Sequence, residues 1–184
     1  MRFLILSLAA LALVVSWLPG FSVVQAQGLD PQGLVLTASE VPGDLRLARS
    51  GTVSRGGGPG YEVFFEVADP FRVGSEAIVQ VVNVVALPSD PATGFNDFVR
   101  STQGLFGGLI EQGPLPVGEE GRGYTSSFNA GPFSGSRAVV VFRRGPAVVG
   151  VTVSSTSANA PLNEAVQLAQ IVDTRLTGAA GGAP

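Results

Sequence analysis

The densest charged cluster in the chain is Glu119-Glu120-Gly121-Arg122, in a glycine-flanked loop just ahead of a strand-like stretch. Paired carboxylates can hold a hard cation through oxygen ligands, or divide the work of acid and base. Adjacent strand residues point apart, however, and calcium loops supply more oxygens at defined spacing, so a solvated turn is the plainer reading. A second cluster, Arg143-Arg144, falls at the tip of a predicted hairpin. Two fork-shaped guanidinium groups there can clamp a carboxylate, a phosphate or a partner's loop. Their plainer use is to blunt an exposed strand edge with charge. Glu119, Glu120, Arg122, Arg143 and Arg144 are therefore the candidate ligand- or partner-binding residues, with no catalytic or metal-ligating residue among them.

The residue types that are missing narrow the chemistry further. The 184 residues include no His and no Cys, and all 11 basic side chains are Arg. Zinc, haem and iron–sulfur sites, thiol nucleophiles, Ser-His-Asp triads, lysine Schiff bases and Walker-type phosphate loops all need what is absent. No cofactor is expected. The Gly56-Gly57-Gly58-Pro59-Gly60 run precedes a strand, whereas a phosphate loop follows one. Ser134 stands outside the G-x-S-x-G spacing. The remaining catalytic alternative is a carboxylate-dependent hydrolase drawing on Glu119, Glu120, Asp97 and Glu62. It requires two carboxyl groups facing each other roughly 5–9 Å apart.

Residues 1–26 have the form of an export signal. Arg2 leads into an apolar run from Phe3 to Leu18, followed by a Pro19-Gly20 break and the small-residue ending Val24-Gln25-Ala26. The alternative is a retained membrane anchor, because Phe3 to Val24 could just span a bilayer if the Pro19-Gly20 break were tolerated. Without Cys, a thiol-linked lipid anchor is excluded. Removal of 26 residues from 184 leaves 158, the size of one ordinary domain. The formal charge of the whole chain is −3 with dispersed arginines, which disfavours nucleic acid as a partner.

The elements that must position these side chains follow from periodicity. Residues 27–44 read as an N-terminal extension with one short helical turn, because Thr37 and Glu40 have capping-box spacing ahead of Pro42-Gly43. Residues 45–49 alternate as a first strand, and 55–60 read as a break. From Tyr61 to Ala68 the period is two, with Tyr61, Val63, Phe65 and Val67 on the better buried side. Residues 77–86 are apolar enough for a central strand. Asp90-Pro91 caps a helix whose stripe is Phe95, Phe98, Val99, Thr102, Leu105 and Phe106. Residues 109–121 form a loop with room for a short strand. Three strands at 123–128, 136–143 and 147–155 then make an antiparallel meander. Pro161 opens a second helix with the stripe Leu162, Ala165, Val166, Ala169, Val172 and Leu176. The domain proper is 45–177, and 178–184 is expected to be a flexible tail. The predicted fold is α+β, an αβα sandwich with helices on the two faces of a single mostly antiparallel sheet, in the order β-β-β-α-β-β-β-α.

This layout resembles the αβα-sandwich domains of the PsbP/Mog1 type and related extracellular sensor-like domains of bacterial lipoproteins. The carriers are the Tyr61-Glu62-Val63-Phe64-Phe65 strand, the Val82-Asn83-Val84-Val85 strand leading to the Asp90 helix, the Val117-Gly118-Glu119-Glu120 loop, the Val141-Phe142-Arg143-Arg144-Gly145 hairpin and the terminal helix. The resemblance spans about residues 45–176. It implies binding rather than catalysis: an exported accessory domain at the cell envelope whose partner is a small molecule or an envelope protein. A membrane contact is expected only if residues 1–26 are retained.

Overall fold

In the computed structural model, residues 29–69, 77–130 and 133–181 are described, so residues 1–26, read above as an export signal, and the last residues of the tail lie outside them. The fold is α+β: among the described residues seven strands form one sheet, all of its pairings antiparallel, accompanied by three helices. The strands are β1 (Leu45–Arg55), β2 (Gly58–Val67), β3 (Ile78–Ala86), β4 (Ile110–Pro114), β5 (Glu120–Ala130), β6 (Phe133–Arg144) and β7 (Ala147–Ser155). The helices are α1 (Pro31–Leu34), α2 (Pro91–Leu105) and α3 (Leu162–Gly181). Their spatial order across the sheet is β1-β2-β3-β7-β6-β5-β4, so the meander β5-β6-β7 forms as expected and β7 takes the middle place.

Every residue of β7 is buried. A continuous run of Val and small residues suits a strand covered on both sides. Alternation along it and along β6 divides the core in two. Val140, Phe142, Val149 and Val151 pack with Ala165, Leu168, Ala169, Val172 and Leu176 of α3, joined by Leu34, Val35 and Leu36 of the N-terminal segment. Their neighbours Val139, Val141 and Val148 instead join Phe95, Phe98 and Val99 of α2.

Four expectations are corrected. The element order is α-β-β-β-α-β-β-β-β-α, with one more helix and one more strand than the periodicity indicated. The N-terminal helix lies at Pro31–Leu34, where Asp30 caps the Gln32 amide at 3.0 Å and proline takes the first turn. Thr37 and Glu40 still bond as a turn, Glu40 Oε2 accepting the Thr37 amide at 2.8 Å. Residues 55–60 do not break the sheet. Gly56 and Gly57, with φ of 57° and 78°, make the two-residue turn that lets Arg55 pair with Gly58. The tail is helical as far as Gly181, since its alanines favour continuation of α3.

The predicted cap of α2 is present: Asp90 Oδ1 accepts the Ala92 and Thr93 amides at 3.1 and 3.4 Å, and Pro91 is the first helical residue. Burial of its stripe ends at Thr102, because Leu105 is 59% exposed. Among the described residues no helix is long and apolar enough to cross a membrane, and no group of three metal-ligating side chains occurs.

Candidate functional site

Four of the five residues singled out by charge, Glu119, Glu120, Arg122 and Arg143, come together where β5 begins and β6 ends. Arg143 Nη1 donates to Glu119 Oε2 at 2.9 Å, and its Nε lies 3.9 Å from Glu120 Oε2. Arg122 Nη2 donates to Glu120 Oε1 at 3.1 Å. The Gly145 amide donates to Glu119 Oε1 at 3.0 Å, and the Glu119 amide to the Arg143 carbonyl at 2.8 Å. Arg144 turns to the other face of the sheet and pairs with Asp173 of α3, whose Oδ2 also accepts the Gly118 amide at 3.1 Å. Burial pushes the Asp173 carboxyl up, but the bonds from Arg144 and Gly118 outweigh it and hold it below the usual carboxylate range. Each charge in this network is met by another, so its clear effect is to fasten the β4–β5 loop to the β6–β7 turn and to α3.

Of the acids named for hydrolysis, Glu119 and Glu120 stay together around Arg143 while Glu62 and Asp97 lie elsewhere, each engaged by an arginine. Glu62 on β2 faces Arg49 at 3.3 Å, and Asp97 on α2 faces Arg100 at 2.9 Å. Glu62 and Glu120 stand on strands four places apart in the sheet. At about 4.8 Å per strand that is roughly 19 Å, beyond the span of a glycosidase pair.

A different site is built by the way α2 sits on the sheet. The helix packs on β6 and β7, where Gly150 makes room for the Phe98 ring: a Cβ at 150 would lie 2.6 Å from Phe98 Cε1 and Cζ. Beyond β7, α2 covers only part of the same face of β3, β2 and β1: Val84 and Val53 pack into its cluster and Gly94 meets the Gly56 turn, while the stretch toward Phe64 and Gln80 is left open. Phe64, Val82 and the half-covered Phe106 therefore border open space with Leu105, forming a cleft of about 230 Å³. Arg49 lies over the Phe64 ring at 4.5 Å from its centroid. Gln80 also lines an adjoining depression of about 420 Å³, with Glu66, Phe128, Arg137 and Ser154.

Arg137 marks this second depression. Its guanidinium carbon stands 4.2 Å from the Phe106 centroid and 5.3 Å from that of Phe128, and its Nε donates to Ser154 Oγ at 3.3 Å. Burial pulls this guanidinium below the ordinary arginine range, and no carboxylate among the described residues pairs with it. Charge density alone did not single out Arg137, since it is isolated in Ser-Arg-Ala-Val-Val-Val. The available signal was parity: in a strand, Arg137 shares a face with the buried Val139 and Val141. Of the phenylalanine stripe, Phe95 and Phe98 are core as expected, while Phe106 reaches the cleft.

No family model matches the chain, and no curated protein matches it. The resemblance to PsbP/Mog1-type domains thus rests on layout. Among solved structures, LpqN of Mycobacterium tuberculosis, described as involved in cell envelope biogenesis, is similar over 73% of this chain and 78% of its own. The identity is 15% and the TM-score 0.28, a superposition too loose to transfer a role or a site residue.

Proposed function

We propose that the protein is an exported, non-catalytic binding domain of the cell envelope, a layered αβα scaffold that takes an elongated apolar ligand into the cleft beside α2. The observation that carries this reading is the partly uncovered sheet face next to α2, where Phe64, Val82, Leu105 and Phe106 border a concave space. Apolar surface lining a cleft is the usual setting of a small-molecule site, with a few polar groups to orient the ligand. In the cleft itself Arg49, Arg55, Glu62 and Gln80 are such groups, and Ser154 and Arg137 line the depression that adjoins it at Gln80. Export rests on the signal-like pattern of residues 1–26, and a product whose N-terminus is Gln27 by mass spectrometry distinguishes cleavage from a retained anchor.

Binding is tested with N-phenyl-1-naphthylamine, a neutral fluorophore that brightens in apolar surroundings. The protein should bind it saturably. Val82→Trp should fill the cleft and abolish the signal while the circular dichroism spectrum is kept. An absence of saturable binding by the folded wild type, or full binding by the folded variant, refutes the reading.

A further inference from the structure

Resting on that cleft, we propose that Arg137 is an anion-binding residue and that the ligand is an amphiphile with a carboxylate head group, its tail lying along β3 beside α2.

The arrangement of the guanidinium supports this. Phe106 and Phe128 hold the group between aromatic rings, while Ser154 occupies only its Nε donor. The Nη donors have no acceptor within bonding distance among the described residues, and they belong to a side chain lining the depression. An arginine uses a planar fork of donors to receive a carboxylate through two parallel bonds, and stacking on rings fixes the plane of that fork beforehand. A half-buried cation without a counter-charge is costly, so a bound anion gains both the hydrogen bonds and relief of that cost. Glu66, the acid lining the same depression, forms no ion pair with Arg137.

The position of Arg137 also selects the shape of the ligand. Arg137 pairs with Ser154 on β7, and Ser154 adjoins Gln80 on β3, so the guanidinium sits at the Gln80 end of the cleft. From Gln80 the lining continues along β3 through Val82 to Val84, a span of about 13 Å at strand rise. The Phe106 ring under Arg137 lines the apolar part as well, so head and tail sites are contiguous.

The test is displacement of N-phenyl-1-naphthylamine by decanoate and by decan-1-ol, which share a tail and differ in head-group charge. Wild-type protein should bind decanoate at least tenfold more tightly than the alcohol. Arg137→Gln should remove that preference, weakening decanoate far more than decan-1-ol, so that the two affinities converge. Equal affinities in the wild type, or a preference that survives in Arg137→Gln, would overturn the anion site while leaving the cleft intact. Failure of the neutral probe to bind at all removes the cleft and, with it, the anion site. If Arg137→Gln does not fold, Arg137→Lys serves: it keeps the charge but loses the stacked fork, and should retain part of the preference, whereas an unaltered ratio would count against the fork geometry.

Discussion

Arg144 and Asp173 bind each other side by side, Nη2 lying 2.8 Å from Oδ2 while Nε donates to Oδ1. The same carboxylate receives the Gly118 amide, so one side chain of α3 fixes both the end of β6 and the loop before β5. Asp173→Asn keeps the shape but loses the charge and one of the acceptors. Stability should fall by about 2 kcal/mol, the scale of hydrogen bonds to charged groups. The urea midpoint should move down with an unchanged slope.

The pH response of this contact has a definite sign. The Asp173 carboxyl is held below its usual value of 3.8, so the folded state binds its proton less readily than the unfolded chain. The stability it contributes is complete above the unfolded value and disappears as pH falls through the lower folded one. Glu40 behaves alike: burial raises its pKa, but bonds from Arg175 and Thr37 outweigh that and lower it overall. Wild-type urea midpoints should therefore drop below about pH 4, and Asp173→Asn should show a shallower drop.

Period-two strands and a capped helix were legible because each is a local pattern. The stripe from Phe95 to Thr102 needed only helical spacing, and β7 only its run of valines. Two kinds of information were not local. Gly56 and Gly57 read as a break, and became a hairpin turn because β1 and β2 had partners to extend along. The charged residues were found by density, which favours mutually neutralising networks such as that of Glu119, Glu120 and Arg143. Arg137 has significance because α2 ends at Phe106 and β5 brings Phe128 beside it, relationships that depend on strand order.

Asn83 is fully buried in β3, yet both ends of its amide are bonded. Oδ1 accepts the Leu36 amide at 2.9 Å, and Nδ2 donates to the Gly150 carbonyl at 3.1 Å. Asn83→Leu fits the volume but strands a donor and an acceptor away from water. A cost of about 2–4 kcal/mol follows. At this chain length that lowers Tm by about 10 °C in calorimetry, and the Leu36 amide should lose hydrogen-exchange protection first.

Arg175 of α3 holds the N-terminal segment to that helix. Its Nη1 donates to the Val35 carbonyl at 2.6 Å, and Nη2 bonds the Glu40 carboxylate. Arg175→Met keeps much of the aliphatic stem and removes the donors. Hydrogen exchange should rise locally across residues 34–40 while β6 and β7 remain protected, because opening of one attached segment does not require global unfolding. Uniformly faster exchange throughout the sheet would instead assign Arg175 to the global core.

Gly150 and Phe98 meet where α2 rests on the middle strand, and that contact sets the depth of the cleft. A methyl group at 150 would stand 2.6 Å from two ring carbons of Phe98, well inside contact distance. Gly150→Ala must therefore lift the ring, and α2 with it, away from β7. Overpacking of this kind costs about 1–3 kcal/mol. Because Phe98 also lines the cleft, binding of N-phenyl-1-naphthylamine should weaken in the same variant. Shortening the opposing side chain supplies the control: Phe98→Leu made together with Gly150→Ala should be less destabilising than the two separate costs added together, since the clash exists only when both bulky groups are present. Additive losses of stability would mean that the ring yields freely and that the glycine is not what seats α2.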